Sequence, residues 1–381
     1  MKKIIRVTTI PGSIWALLKG QLHFMSNYYE VIGISSKTSD FYKISENEGV
    51  RTIPVEMTRT ITPLRDLIGL YKLFHIFKKE KPFIVHTHTP KAGTLGMFAA
   101  KLAGVPHRLH TVAGLPLLET DGFKRELLNR VEKLTYTSAT LILPNSFALK
   151  DIIINQNFCK EDKLKVIANG SSNGIDTDHY DLKKVPVESV EKIKNQLKIR
   201  TSDTVFLFIG RIVKDKGINE LILAFNEITN SHDNVQLILV GYKESDLDPI
   251  SPESEFLIVN NPKIHEVGNI KDIRPYVALS NVLTFPSYRE GFPNVVLQAS
   301  CMEKPCIVTD INGCNEIIKD NYNGLIIPTK DSMALRDAML KLHNNPQLTQ
   351  DLAKNARPNI INKYQRSIVW EELLDLYNNL N

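Results

Sequence analysis

Pro286-Ser-Tyr-Arg-Glu-Gly-Phe-Pro-Asn-Val-Val-Leu-Gln298 joins an apolar run to a helix start, and its reading decides the fold. Val282-Leu-Thr-Phe285, just before it, is short, apolar and bounded by Pro286, as a buried parallel strand is. Pro293 suits a first helical turn, where its missing N–H costs nothing, and Val295 to Met302 supply the helix. A strand that feeds a helix through such a loop leaves free N–H groups and a positive dipole end at the carboxyl edge of a sheet, where anions bind. The implied ligand is a phosphate. Glu290 repels phosphate, so its carboxylate suits neutral hydroxyl groups. A ligand with both phosphate and hydroxyls is a sugar nucleotide.

Outward from this stretch, the same strand and helix grammar runs through the chain twice. In the first half, Ile4 to Thr9, Tyr29 to Ile34, Arg51 to Val55, Phe83 to His88, Arg108 to Val112, Leu141 to Pro144 and Leu164 to Ile167 read as strands. Thr62 to Lys79, Lys91 to Ala103, Phe123 to Ser138 and Ser146 to Asn155 carry helical spacing. Asn169-Gly-Ser-Ser-Asn-Gly-Ile-Asp176 is a turn-rich connection that reads as an interdomain hinge. Beyond it, strands are expected at Thr204 to Ile209, Val235 to Val240, Ile264 to Val267, Val282 to Phe285, Cys306 to Thr309 and Gly324 to Ile327. Helices fit Ile218 to Thr229, Lys271 to Leu279, Asn294 to Met302, Ser332 to Asn344 and Leu348 to Asn362. The alternation predicts an α/β chain of two doubly wound parallel-sheet domains, 1–172 and 173–365, followed by an amphipathic segment, 366–381.

Length and composition agree. The 381 residues exceed one core of ordinary size, and 43% hydrophobic with 23% charged residues is the balance of a globular protein. The four cysteines, Cys159, Cys301, Cys306 and Cys314, have no zinc-like or redox spacing and read as free thiols of a reducing compartment. Arg6 interrupts the first apolar run at once, so the N-terminus reads as a strand and not a signal peptide. No uncharged stretch is long enough to span a bilayer, and a cytoplasmic protein is expected. The net charge of +5 is uneven: residues 1–172 hold 24 Lys and Arg against 14 Asp and Glu, residues 173–381 hold 23 against 28. The basic half suits an anionic partner, membrane phospholipid or nucleic acid, or is simply a solvated surface.

Glu290-Gly-Phe-Pro, with Gln298 eight positions on, resembles the Glu-x7-Glu motif of the retaining family 4 glycosyltransferases. That resemblance implies the GT-B fold, two Rossmann-like domains facing a central cleft, with the C-terminal segment 366–381 packing back on the first. It covers essentially the whole chain and is strongest from Val205 to Pro328. Gln298 departs from the family, whose second Glu holds the nucleotide ribose; an amide also bonds diol hydroxyls. Gly210-Arg-Ile-Val-Lys-Asp-Lys-Gly217 is similar to the family's Gly-Arg…Lys-Gly element, which implies that Arg211 and Lys216 hold the donor diphosphate. A planar fork of donors and a point charge suit a diphosphate whose charge rises as the glycosyl bond breaks. The resemblance places His110 beside the reacting sugar, so the catalytic set it implies is Glu290, His110, Arg211 and Lys216. Donor contacts extend to Gly12, Gly210, Val267, Gly291, Phe292, Asn294, Val295 and Gln298, and acceptor contacts to Ser13, Thr89, Lys91 and Gly93. Thr9-Ile-Pro-Gly-Ser13 stands where the family has a glycine-rich loop, and Gly313-Cys-Asn-Glu316 resembles its Gly-x-x-Glu. No residue stands out as a covalent nucleophile, and the family view is same-face attack in which the leaving phosphate helps deprotonate the acceptor.

No cofactor or metal is expected beyond the UDP-sugar co-substrate. Asp176-Thr-Asp178 and Asp246-Leu-Asp248 match Asp-x-Asp by chance, since neither ends a strand, and His86 and His88 alternate along a strand and so point apart. There is no Gly-Lys-Ser/Thr of a Walker loop and no Gly-x-Gly-x-x-Gly of a nicotinamide enzyme. Pro286 to Ser300, Val85 to Gly93 and Gly170 to Asp176 are most similar to the bacterial branch that builds surface glycan on a polyprenyl diphosphate carrier. The branch implies a UDP-sugar donor, an N-acetylated hexosamine or related hexose as the sugar moved, and a polyprenyl-diphosphate-linked saccharide acceptor. It also implies peripheral attachment to the inner face of the cytoplasmic membrane through the basic domain, with no nucleic acid bound. Of two membrane-facing candidates, Leu64 to Lys79 has the stripe of a helix packed on a sheet, and Leu115-Pro-Leu-Leu118 with Phe123-Lys-Arg125 is the better docking segment. A UDP-sugar 2-epimerase of GT-B architecture and a non-catalytic sugar-nucleotide sensor are the alternatives.

Overall fold

The apolar runs become the strands of two parallel sheets. The computed structural model describes residues 1–58, 60, 62–244 and 248–380, with the side chains of all of these but Pro116 and Glu119. The chain divides into two units, Met1–Gly174 with Arg366–Asn381, and Ile175–Gln365. Unit 1 contains β1 (Lys3–Val7), β2 (Glu30–Ser35), β3 (Arg51–Pro54), β4 (Ile84–Thr87), β5 (His107–Val112) and β6 (Leu141–Pro144), in the order β3-β2-β1-β4-β5-β6. Unit 2 contains β7 (Thr204–Ile209), β8 (Val235–Val240), β9 (Ile264–Gly268), β10 (Val282–Phe285), β11 (Cys306–Thr309) and β12 (Gly324–Ile327), in the order β12-β11-β10-β7-β8-β9. Every neighbouring pair named is parallel. Counted from its own first strand, each sheet has the same winding, reversing direction between its first and fourth strands. A reversal leaves a crevice outside the carboxyl ends of the two neighbours, because their following loops turn to opposite faces. The crevices lie at β1/β4 and at β7/β10.

Helices cover both faces, so β4, β8 and β10 are buried throughout; β8 and β10 are apolar but for Gln236 and Thr284, while β4 also buries His86 and Thr87. The last helix, Arg366–Asn378, belongs to unit 1 and buries Val369, Leu373 and Tyr377 with Ile4, Ile14 and Leu109. It also completes a polar cluster around Arg6 in β1, which is 1% exposed. The Arg6 guanidinium donates to His88 Nε2 (2.9 Å), to the Tyr377 hydroxyl (3.2 Å) and to Gln21 Oε1. Among the described residues no carboxylate pairs with it. Neutral acceptors therefore carry the desolvation cost of this charge, and burial pulls its pKa down.

Several expectations need correction. Leu164–Ile167 is no strand: one bridge joins Leu164 to Ile142, after which left-handed backbone at Ala168 and Ser171 turns the chain off the sheet edge. Between β1 and β3 the chain forms helices Pro11–Leu18, Gln21–Ser26 and Phe41–Glu48, too short to declare a period, and helices Val187–Gln196 and Pro252–Asn260 were likewise not anticipated. His86 and His88 do not point apart. Their ring centroids are 4.1 Å apart, because residues two apart along an extended chain lie on the same face, and His88 still bonds β1 through its N–H to the Val7 carbonyl. Asp246-Leu247 of the second Asp-x-Asp match lies outside the described residues.

Burial holds the His86 and His88 imidazoles well below their usual range, reinforced by neighbouring charge, and burial holds His110 in β5 down to about 4. In the unfolded chain they titrate near 6.5, so between pH 6.5 and 4 the unfolded state takes up protons that the folded state refuses. Stability present above pH 6.5 is thus lost as the pH falls, by about 3 kcal/mol for His110 alone. Thermal unfolding at stepped pH should show this loss, and His110→Gln should shrink it; a melting temperature flat from pH 7 to 5 would contradict it.

Candidate active site

In unit 2 the loops after β7 and β10 meet at the winding reversal. Gly210 leaves β7, Arg211 follows, and a 3-10 turn at Lys214–Lys216 leads through Gly217 into helix Ile218–Thr229. Gly217 has φ +68°, and a Cβ there would stand 2.0 Å from the Pro286 carbonyl oxygen, so only glycine lets the two loops touch. The Lys216 ammonium then lies on the Glu290 carboxylate, whose Oε1 also accepts from Ser287 Oγ (3.0 Å). Asn312, after β11, donates its amide to the Glu290 and Gly291 carbonyls, and Thr309 Oγ1 donates to the Ser287 carbonyl. The Glu290 loop is thereby fixed from both sides.

Asp215 joins the same two loops by other atoms. Its carboxylate takes Arg289 Nη2 (2.7 Å) and Arg211 Nη2 (3.6 Å), and its carbonyl accepts from the Tyr288 N–H (2.9 Å). Arg211 also pairs with Glu244 (2.5 Å). Helix Asn294–Cys301 has Pro293 at its N-cap, not in its first turn, and no side chain caps it, so its amino end keeps the positive pole toward this loop. Gln298 donates Nε2 to the Tyr180 hydroxyl (2.9 Å), which leaves its carbonyl oxygen as an acceptor. Phe292, Val295 and Val267 pack on the unit 2 core and shape the edge without offering polar side-chain atoms.

In unit 1 the loops after β1 and β4 are tied by Thr9 and Thr89, whose hydroxyls are 2.7 Å apart. Gly12 and Ser13 lie in the first turn of helix Pro11–Leu18 and not in a loop, since Pro11 starts the helix. Lys91 is not free but bound to Asp66 (2.5 Å). His110 is 3% exposed and bonds Thr87 Oγ1 through Nδ1 (2.8 Å). A Cβ on Gly93 would fall 2.3 Å from its Cε1, so helix Pro90–Ala103 rests on the imidazole face. Burial keeps that ring neutral at physiological pH.

The structure thus brings Arg211, Lys216, Glu290, Gly291, Asn294 and Gln298 to one edge of unit 2. Sequence reasoning missed Asp215, Glu244, Ser287, Arg289 and Asn312. Ser287 and Arg289 lay within the deciding stretch and Asp215 within the Gly-Arg…Lys-Gly element, while Glu244 and Asn312 gave no local signal. Among the described residues no group of three or more His, Cys, Asp or Glu could hold a metal ion.

Comparison with known proteins fits this arrangement. The Glycosyl transferases group 1 profile matches residues 189–358, and the Glycosyl transferase 4-like domain matches residues 32–170. The capsular polysaccharide biosynthesis glycosyltransferase CapM of Staphylococcus aureus is 36% identical over 377 residues, 99% of this chain and 97% of that protein. The chain belongs to the group 1 glycosyltransferases. It is also 29% identical to the UDP-Gal:alpha-D-GlcNAc-diphosphoundecaprenol alpha-1,3-galactosyltransferase of Escherichia coli, over 84% of this chain and 81% of that protein. Among solved structures, Anabaena HepE in complex with UDP and glucose superposes with a TM-score of 0.84 at 20% identity, covering 100% of both chains. This glycosyltransferase therefore has the GT-B fold, with two six-stranded parallel sheets.

Arg211→Ala and Glu290→Ala should each abolish transfer while the circular dichroism spectrum stays native; near-normal rates in both would refute the site. Asp215→Asn, which unties the loops without touching Lys216 or Glu290, should lower kcat/KM by about tenfold to a hundredfold with the fold intact. Gly217→Ala should cost more activity than Gly12→Ala, where a Cβ meets nothing nearer than 3.9 Å.

Proposed function

We propose that this enzyme is a retaining, metal-independent transferase that moves a hexose or N-acetylated hexosamine from a UDP-sugar to a polyprenyl-diphosphate-linked saccharide in bacterial surface glycan synthesis. The observation that carries the reading is the meeting at β7/β10 of two cations, Arg211 held by Glu244 and Lys216 held by Glu290, beside an uncapped helix end. Cations and N–H groups suit a diphosphate; Glu290 suits sugar hydroxyls, which can take over the bonds it now makes. The relatives, one a glycosyltransferase of capsular polysaccharide biosynthesis and one a galactosyltransferase whose acceptor is a diphosphoundecaprenol-linked GlcNAc, support the acceptor class.

In this reading unit 2 takes the donor and unit 1 the acceptor. As the bond from the sugar C1 to the β-phosphate oxygen breaks, negative charge collects on UDP, and Arg211, Lys216 and the N–H groups at Asn294 and Val295 stabilise it. The acceptor oxygen bonds to C1 on the face the diphosphate leaves, and its proton passes to the departing phosphate oxygen. The anomeric configuration is retained without a covalent enzyme intermediate. Arg211 and Lys216 supply the charge that a divalent metal supplies elsewhere. Gln298 accepts from the ribose diol. His110, neutral and buried, orients helix Pro90–Ala103 and the Thr89 loop, acting on the acceptor through them.

No helix among the described residues is long and apolar enough to cross a membrane. Attachment to the inner face of the cytoplasmic membrane would be peripheral, through basic unit 1. The test is a panel of nucleotide sugars with and without a polyprenyl-diphosphate-linked saccharide, in the presence and absence of EDTA. UDP release that requires acceptor, is unaffected by EDTA and yields an α-linked product from an α-linked donor is expected. Acceptor-free isomerisation of the sugar would instead establish a 2-epimerase, and binding without turnover a sensor.

A further inference from the structure

Helix Pro63–Glu80 has two apolar faces. One packs inward through Gly69, Leu73 and Phe77. The other carries Leu64, Leu67, Ile68 and Tyr71, at successive spacings of three, one and three residues, and these side chains are 56–79% exposed. The expectation that this stripe is spent on the sheet is therefore wrong for half of it. The other candidate segment divides: Leu115 and Leu117 are buried, whereas Phe123 and Lys124 are exposed.

Charge on the outward face is of one sign. Arg65, Lys72, Lys78 and Lys79 are exposed. The helix's two acids face other partners, Asp66 on Lys91 (2.5 Å) and Glu80 on Lys3 (2.7 Å) and Arg51 (2.6 Å). Helix Pro90–Ala103 runs alongside and is linked through Thr94 to Thr135 (3.0 Å) of helix Gly122–Ser138, which exposes Phe123, Leu127 and Leu134 among Lys124, Arg130 and Lys133. Glu126, the exposed acid there, is paired with Arg130. The result is one helical layer of unit 1 with outward aliphatic and aromatic side chains edged by cations.

We infer that this layer, with helix Pro63–Glu80 as its main apolar contact, is the surface on which the enzyme lies against an anionic lipid bilayer. Helices that settle in the headgroup region combine an apolar stripe with flanking lysines, and each cation near anionic lipid adds attraction. Charge complementarity selects the bilayer as occupant, since a second copy of the same face would oppose cation to cation. The inference deepens the reading of a lipid-linked acceptor and rests on it for its purpose.

Full-length enzyme should cosediment with phosphatidylcholine vesicles containing phosphatidylglycerol, poorly with phosphatidylcholine alone, and less as salt rises. Leu67→Ser with Ile68→Ser, at exposed positions that leave thermal unfolding unchanged, should weaken binding by about tenfold. Lys78→Glu with Lys79→Glu should do the same through charge alone, while Phe256→Ser, exposed in unit 2, should have no effect. Both double variants should keep wild-type rates on a short-prenyl, water-soluble acceptor. Wild-type affinity in both double variants, indifference to lipid charge, or a dimer that the variants dissociate would overturn the surface. Absence of transfer to the soluble acceptor by the wild type would instead overturn the acceptor reading, whatever the vesicles show.

Discussion

Contact of the Lys216 ammonium with the Glu290 carboxylate ties the loop after β7 to the loop after β10, and the candidate site of unit 2 depends on it. The strands that carry these loops are neighbours only because the winding reverses between them. A parallel sheet wound one way throughout would send both loops to the same face and leave no crevice. Gly217 and Asp215 then remove the remaining freedom, the first by letting backbone touch backbone, the second by bonding to Arg289, Arg211 and the Tyr288 N–H. The site is rigid because every cation in it already has a carboxylate. A diphosphate that enters exchanges partners with groups held in place, which is the arrangement in which fixed charges act without reorganising.

Unit 1 solves the same topology with different chemistry. Its reversal, at β1/β4, is closed by two threonine hydroxyls and a set of neutral imidazoles instead of ion pairs. His110 and His86 each sit between a threonine hydroxyl and an aromatic ring. Their neutrality follows from burial, so the charges near this edge are the buried Arg6 guanidinium, held by neutral acceptors, and the Lys91–Asp66 pair. The two edges thus differ in kind, one closed by ion pairs and one by hydroxyls and imidazoles, although the sheets beneath them are wound alike.

The strands were the most legible feature of the sequence. β6, β7, β8, β10, β11 and β12 begin and end where apolar runs meet Pro, Gly, Asn, Thr or charge, because strands buried on both faces have little polar alternation to blur them. The site was legible where its residues lie in the loop after a strand, as Arg211 and Glu290 do, or in the helix that loop feeds, as Gln298 does. Illegible were the partners supplied by distant chain: Tyr180 for Gln298, Glu244 for Arg211, Asp66 for Lys91, Asn312 for the Glu290 carbonyl. The clearest case is Arg6, read only as a charge interrupting an apolar run. Its hydrogen bond to Tyr377 spans 371 positions, and no local rule connects them.

That bond also orders events in time. Unit 2 is inserted into unit 1, between Gly174 and Arg366, so a growing chain finishes residues 175–365 before the helix that covers Ile4, Leu109 and Arg6 has been made. Unit 1, though it starts first, closes last. Until the final residues leave the ribosome, a guanidinium and an apolar sheet face stay open to water, to chaperones and to other nascent chains. A nonsense mutation or protease cut in the last turns of the chain would therefore undo the beginning of the protein, not its end.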